Sequence, residues 1–262
     1  MILTKKNEVM KMTKIYGHRG SKGYFPENTM LSFHEAIKAG VDGVELDVHL
    51  TKDDQLVIMH DATVERIYNG AGYIKDFNLH ELKRLKLNNS FQSYSNYQSS
   101  WELERIPTLE EVLEILETAK IDLNIELKTV MFNYPGIEEK VLNCVKKYAP
   151  SLSVTYSSFH LPTLVRLREY DPSVELGFLI QHPIPSLQDY LNQFKINRVH
   201  ADKALFRHPL LSLDIESSDV RVWTVNKSDD LVDFLQMGVD TIITDYPDRA
   251  LRLRDELNSI SV

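Results

Sequence analysis

The sequence has one cysteine, Cys144, among 262 residues, so no internal disulfide is available and a reducing compartment is expected. It has no apolar run approaching the ~18 residues that cross a bilayer, so stable membrane insertion is not expected. Residues 1–14 contain Lys5, Lys6, Lys11 and Lys14 but lack the apolar stretch of about 7 residues that a secretory leader needs, and a cytoplasmic protein is expected. Positive charge is in deficit. The 30 Lys and Arg against 38 Asp and Glu leave a net charge of −8 with no basic stripe, which argues against nucleic acid as a partner. A local basic pocket for a phosphate is still allowed. No low-complexity tract, internal repeat or second domain is evident, and nothing in the sequence sets an oligomeric state.

What is present is an ordinary globular composition, 43% apolar and 26% charged, in a chain of normal length for one α/β barrel. Lys14 to Tyr16 reads as a short strand running into His18-Arg19-Gly20. The apolar spacing from Met30 to Ala39 is helical, with Pro26 before it and Gly40 at its end. Gly43 to Leu50 alternates at period two, so Glu45, Asp47 and His49 share one strand face. The polar break 52–55 suits a tight turn into a strand ending at His60. Residues 62–105 break the rhythm. They read as an insertion with one amphipathic piece, Leu79 to Leu87, and aromatics that either staple it to the body or line a substrate mouth.

From Pro107 onward strand and helix alternate: strands at 122–128, 153–158, 174–180, 198–202, 220–226 and 241–244, with helices between and a less regular one around Leu210 to Glu216. Thr108-x-x-Glu111 is a capping box. Parallel strands joined by right-handed crossovers follow. If the Glu45 and His60 strands count as one hairpin-like unit, the total is eight units, a (β/α)8 barrel over residues 1–262. An open doubly wound sheet is the competing fold, but no Gly-x-Gly-x-x-Gly follows the first strand.

Barrel chemistry sits at the C-terminal ends of strands. That filter returns His18, Arg19, Glu45, Asp47, His49, His60, Asp61, Glu126, Lys128, Ser157, Ser158, Gln181, His182, His200, Asp202, Lys203, Trp223, Asn226 and Asp245. Glu45, Asp47 and Glu126 either gather a hard cation, Mg²⁺ or Ca²⁺ rather than Zn²⁺, or pair with Arg19 and Lys128. His18 and His60 are either an acid–base pair or structural. Arg19 and Lys128 either form a phosphate pocket or salt-bridge internally. Trp223 walls the pocket or fills the barrel. His49 is read as supporting.

His18-Arg19-Gly20, Pro26-Glu27-Asn28-Thr29, Glu45-Leu46-Asp47-Val48 with Thr51, and Val57 to Asp61 form an ordered series. It continues with Asn69-Gly70-Ala71-Gly72, Ile125-Glu126-Leu127-Lys128, Val222 to Asn226 and Thr244-Asp245-Tyr246-Pro247. With these motifs the sequence resembles the bacterial glycerophosphodiester phosphodiesterases of the cytoplasmic type. The resemblance implies a TIM barrel with a small segment inserted after His60. It implies one divalent cation, Mg²⁺ or Ca²⁺, on Glu45, Asp47 and Glu126, with His18 and His60 as acid–base pair and Arg19 and Lys128 on the phosphate. Glu27 would support the first loop, and Trp223 would lie in the substrate pocket. Asp54 stands where the family often has glycine, and Glu65-Arg66-Ile67-Tyr68 departs from the usual threonine-containing run. The expected activity is hydrolysis of a small glycerophosphodiester to glycerol 3-phosphate and an alcohol. Lysophospholipids or wall-polymer fragments are alternative substrates, and a non-catalytic phospho-ligand-binding barrel is the alternative class.

Overall fold

The computed structural model describes residues 12–207 and 215–260. Its parallel strands are β1 (Lys14–His18), β2 (Gly43–Leu50), β4 (Asp122–Leu127), β5 (Val154–Ser158), β6 (Glu175–Ile180), β7 (Arg198–Asp202), β8 (Val220–Trp223) and β9 (Thr241–Thr244). β1 pairs with both β2 and β9, so the eight close into a barrel, while β3 (Leu56–Ile58) lies antiparallel against β2. Helices α1 (Met30–Ala39), α3 (Leu109–Ala119), α4 (Ile137–Tyr148), α5 (Leu161–Tyr170), α6 (Leu187–Phe194), α7 (Ser228–Met237) and α8 (Pro247–Ile260) alternate with the strands. The short α2 (Leu79–Leu82) belongs to the segment between β3 and α3. The (β/α)8 reading therefore holds, with β2 and β3 forming the expected hairpin.

Alternation divides the barrel into two environments. Val44, Leu46 and Val48 of β2 and Leu123, Ile125 and Leu127 of β4 pack outward with Phe33, Val112 and Val141 in one apolar shell. The intervening side chains face the barrel axis. α3 begins as expected: Thr108 Oγ1 accepts from the Glu111 N–H at 3.2 Å and Glu111 Oε2 accepts from the Thr108 N–H at 2.8 Å. Asp54 in the β2–β3 turn has φ 62°, the left-handed conformation that glycine adopts without strain.

Several boundaries differ from the expectation, among them β8, which ends at Trp223 rather than Asn226. β3 ends at Ile58, although the Met59 N–H still donates to the Asp47 carbonyl at 3.0 Å; its outer edge meets residues 107–108, where the Ile58 N–H donates to the Pro107 carbonyl at 2.9 Å, and His60 lies in the loop beyond. The helical piece at 79–87 stops at Leu82, since residues 86–88 exchange backbone hydrogen bonds with 67–69 instead. The expected helix around Leu210 to Glu216 falls mostly outside the described residues; residues 217–219 form a 3₁₀ turn. Between β3 and α3 the chain has a core of its own, built on Val64, Ile67, Tyr68, Ile74, Phe91 and Trp101, with Phe77, Tyr94 and Tyr97 packed against it. Tyr73 instead faces outward, with its ring centroid 5.2 Å from that of Phe132.

Inside the barrel, space is set by large side chains facing small ones. A Cβ added at Gly177 would lie 2.3 Å from His200 Nε2, and His200 is fully buried. Gly177→Ala is expected to cost about 1–3 kcal/mol of stability by overpacking, read as a lower urea midpoint at unchanged slope.

Candidate active site

The parallel register sets His18 level with Glu45, and Asp47 level with Glu126. One carboxylate oxygen from each of Glu45, Asp47 and Glu126 lies within 4.8 Å of the other two. Asp47 is fully buried. Its Oδ2 accepts from Asn28 Nδ2 at 2.9 Å and faces Arg19 Nε at 3.2 Å. Its Oδ1 has no hydrogen-bond partner, with the Lys128 ammonium 3.5 Å away. Lys128 donates to Glu126 Oε1 at 2.8 Å.

Arg19 adopts φ 53° directly after β1. This conformation aims its N–H at Glu45 Oε2, 3.0 Å away, and its Nη1 at Glu27 Oε1, 2.8 Å away. Burial would raise the Glu27 carboxyl, but hydrogen bonds from Arg66 and the charge of Arg19 hold it at about 2. Burial likewise pushes Asp47 up, and Arg19 and Lys128 hold it well below the carboxylate range. For Glu45 the balance goes the other way: burial and then the Asp47 charge push it well above its ordinary value, despite the charge and N–H of Arg19. Burial and Asp47 also raise Glu126, against the pull of Lys128.

Two histidines reach the same cavity, each backed by a carboxylate. His18 Nδ1 lies 2.6 Å from Asp245 Oδ1, and Asn226 fixes that aspartate from both sides, donating to Oδ2 at 2.7 Å and accepting its N–H at 3.0 Å. His60 Nδ1 lies 2.6 Å from Asp61 Oδ1, whose second oxygen accepts from Arg66 Nε at 2.5 Å. Burial raises Asp245, but His18 and Lys22 bring it to about 2; Asp61 is held lower still, first by the hydrogen bond to His60. Both aspartates are therefore acceptors, Nδ1–H is the donor in each pair, and Nε2 is the free ring nitrogen. Burial, then repulsion from Arg19, lower His18 to about 4, so its ring is neutral at pH 7. His49 supports the arrangement. Its Nε2–H donates to the His60 carbonyl at 3.2 Å and its Nδ1 accepts from the Tyr134 hydroxyl at 3.0 Å.

His18, Arg19, Glu45, His60 and Glu126 line a cavity of about 180 Å³ whose other wall is apolar: Phe159, Leu179, Trp223 and Ile243. Trp223 donates Nε1–H to the His200 carbonyl at 2.9 Å and meets Phe159 edge-on at 90°. A larger cavity, about 350 Å³ beside Asn88, Phe91 and Trp101, contains none of the titratable pairs. All eight residues expected to carry chemistry thus converge: His18, Arg19, Glu45, Asp47, His60, Glu126, Lys128 and Trp223. Gln181 joins them at the wall. Ser157 and Ser158 are buried in interstrand hydrogen bonds, Asp202 caps the Ala204 N–H, Lys203 pairs with Asp230 and His182 is exposed.

Burial lowers His49 to about 4 and holds His200 well below its ordinary value. Unfolded, both titrate near about 6.5. Their contribution is present above that pH and is lost as pH falls toward 4, because the unfolded chain then binds more protons. Urea unfolding at pH 7.5 and at pH 5 should show the decline, and His49→Gln should flatten it.

Residues 18–249 match the glycerophosphoryl diester phosphodiesterase family, a span running from His18 past Asp245. The chain belongs to that family. It is 38% identical over 250 residues to a glycerophosphodiester phosphodiesterase of Bacillus altitudinis, covering 94% of this chain and all of that one. A second such enzyme, from Caldanaerobacter subterraneus, is 36% identical over 92% of this chain and 97% of its own length. Among solved structures, an Oleispira antarctica phosphodiesterase in complex with its product sn-glycerol-3-phosphate superposes with a TM-score of 0.82 at 28% identity, over 93% of this chain and 97% of that one. The resemblance drawn from the motifs is thereby borne out at family level. Within this member of the family, sequence reasoning gave no role to Asn28, Arg66, Phe159, Leu179 or Ile243. Asn28 follows Glu27 in a quoted motif, so its position was visible; the apolar wall carries no motif.

Proposed function

We propose that the protein hydrolyses glycerophosphodiesters to glycerol 3-phosphate and an alcohol, using one divalent cation, Mg²⁺ or Ca²⁺. The observation that carries this reading is the convergence of three carboxylates and two aspartate-backed histidines on one cavity. The donor set fits a hard cation: all ligand atoms are oxygens, Asp47 Oδ1 is buried without a hydrogen-bond partner, and Glu45 is forced upward by burial and then by the like charge of Asp47. Glu45, Asp47 and Glu126 would hold the ion, which supplies positive charge against the non-bridging phosphate oxygens.

The remaining roles fall to the chain's own side chains. Arg19 and Lys128 bring fixed positive charge to the same oxygens as negative charge builds on them. One imidazole takes a proton at Nε2 from the attacking oxygen, and the other delivers one to the departing alkoxide. Asp245 and Asp61 fix the two tautomers. Trp223 and Phe159 form the apolar side of the pocket, excluding water from one face of the substrate. No helix among the described residues is long and apolar enough to cross a membrane. That fact and the single cysteine support a cytoplasmic setting.

Purified protein incubated with glycerophosphocholine or glycerophosphoethanolamine, in Mg²⁺, Ca²⁺, Mn²⁺ or chelator, should release glycerol 3-phosphate in cation only. No release from any glycerophosphodiester would leave the phospho-ligand-binding barrel as the better reading. Most aromatics of segment 62–105 pack into the segment's core, and Phe91, Tyr97 and Trp101 also line the cavity of about 350 Å³ there, so cleavage of a lysophospholipid in the same assay would favour the alternative substrate.

A further inference from the structure

Arg66 sits in the segment between β3 and α3, outside the barrel, yet its guanidinium contacts both halves of the site. Nη1 and Nη2 donate to Glu27 Oε2 and Oε1 at 2.8 and 2.7 Å. Nε and Nη2 donate to Asp61 Oδ2 and Oδ1 at 2.5 and 3.1 Å. Each of those carboxylates holds a working group by its remaining capacity: Asp61 Oδ1 takes His60 Nδ1, and Glu27 Oε1 takes Arg19 Nη1. The result is one unbroken chain, His60–Asp61–Arg66–Glu27–Arg19–Asp47. Its central link is fixed from behind, because Val64, Ile67 and Tyr68 on either side of Arg66 are buried in the segment's own core.

We propose that Arg66 is a positioning residue that orients His60 and Arg19 together, making the segment at 62–105 part of the catalytic apparatus. The inference rests on the reading that His60 and Arg19 act on the phosphodiester. The chemistry demands arginine. A planar fork with several donors can satisfy two carboxylates at once, whereas an ammonium is a single point of charge and cannot keep both in register. Without the fork, Glu27 keeps Arg19 and a Lys22 ammonium 3.9 Å away, and Asp61 can rotate with His60.

Arg66→Ala and Arg66→Lys should both lower kcat about 10²-fold, as expected for misplaced reacting groups, with a smaller change in KM. Guanidinium ion should restore part of the Arg66→Ala rate, and ammonium should not. Arg105→Ala, whose guanidinium donates to the backbone carbonyls of Glu102 and Glu104, is the control expected to keep full rate. A readout independent of turnover uses the ring N–H protons. His60 Nδ1–H on Asp61 should give a slowly exchanging downfield proton resonance, assigned by its loss in His60→Gln. Arg66→Ala should abolish that resonance and spare the one from His18 on Asp245. Persistence of the His60 resonance in Arg66→Ala, or a lysine variant as active as the unmutated protein, would overturn the inference. Failure of the unmutated protein to cleave any glycerophosphodiester would instead refute the proposed function, and the resonance test would still decide the positioning role.

Discussion

Asp47→Asn should lower kcat by about 10³-fold or more even in saturating Mg²⁺, and a chelator should do the same to the unmutated protein. The magnitude follows from electrostatics. A bound divalent cation contributes several kcal/mol of charge stabilisation in the transition state, and each ~1.4 kcal/mol is tenfold in rate. Asp47 is the member of the cluster that burial would neutralise but Arg19 and Lys128 keep ionised, which makes it the predicted anchor for the cation. Asparagine keeps the shape and the contact to Asn28 within reach while removing the charge. Stability moves the other way for Glu45. Its carboxyl is raised by burial and by Asp47, so in the absence of cation its ionisation destabilises the fold progressively above the unfolded value of about 4.3. In chelator at pH 8, Glu45→Gln should therefore melt higher than the unmutated protein. In excess Mg²⁺ the order should reverse, since the cation stabilises the form that binds it. Turnover with graded Mg²⁺ and melting in both buffers read the two effects separately.

Replacing either His18 or His60 by alanine should lower kcat about 10²- to 10⁴-fold, the range of general acid–base catalysis. The two need not behave alike with every substrate. A glycerophosphodiester of nitrophenol has a leaving group that departs without protonation. The variant lacking the acid should regain rate on that substrate, and the variant lacking the base should not. This comparison assigns the roles. Asp245→Asn should fall between, because the amide would keep its oxygen on the Asn226 donor and turn its NH₂ toward Nδ1, which no longer fixes the His18 tautomer. Retention of full rate by both alanine variants would remove the imidazoles from the mechanism.

The barrel was legible because its staves obey simple rules. Gly43 to Leu50 alternates cleanly, and the same alternation that buries Val44, Leu46 and Val48 under the helices turns Glu45 and Asp47 inward. The strand-end filter then brought together His18, His60, Glu126 and Lys128 without reference to distance. What escaped was non-periodic. β3 stops two residues before His60, and its outer edge pairs with Pro107, a contact 49 residues away that no local pattern encodes. Leu85 and Leu87 look helical, yet the backbone there pairs with 67–69. Arg66 lies in a run that departs from the family pattern, and its position against Glu27 and Asp61 is set by a core that the segment shares with Val57, Met59 and Phe25. The apolar wall of Phe159, Leu179 and Ile243 draws one residue from each of three separate elements or loops, so sequence offers only isolated hydrophobic positions.

The central claim is that acidic side chains from two adjacent staves share one divalent cation. Titration of Mn²⁺ into chelator-treated protein, followed by electron paramagnetic resonance, measures it without recourse to activity. One saturable site per chain is predicted, weakened at least tenfold in Glu126→Gln and altered in line shape when glycerol 3-phosphate is added. Absence of a saturable site, or equal Mn²⁺ affinity in Glu126→Gln and the unmutated protein, would contradict it.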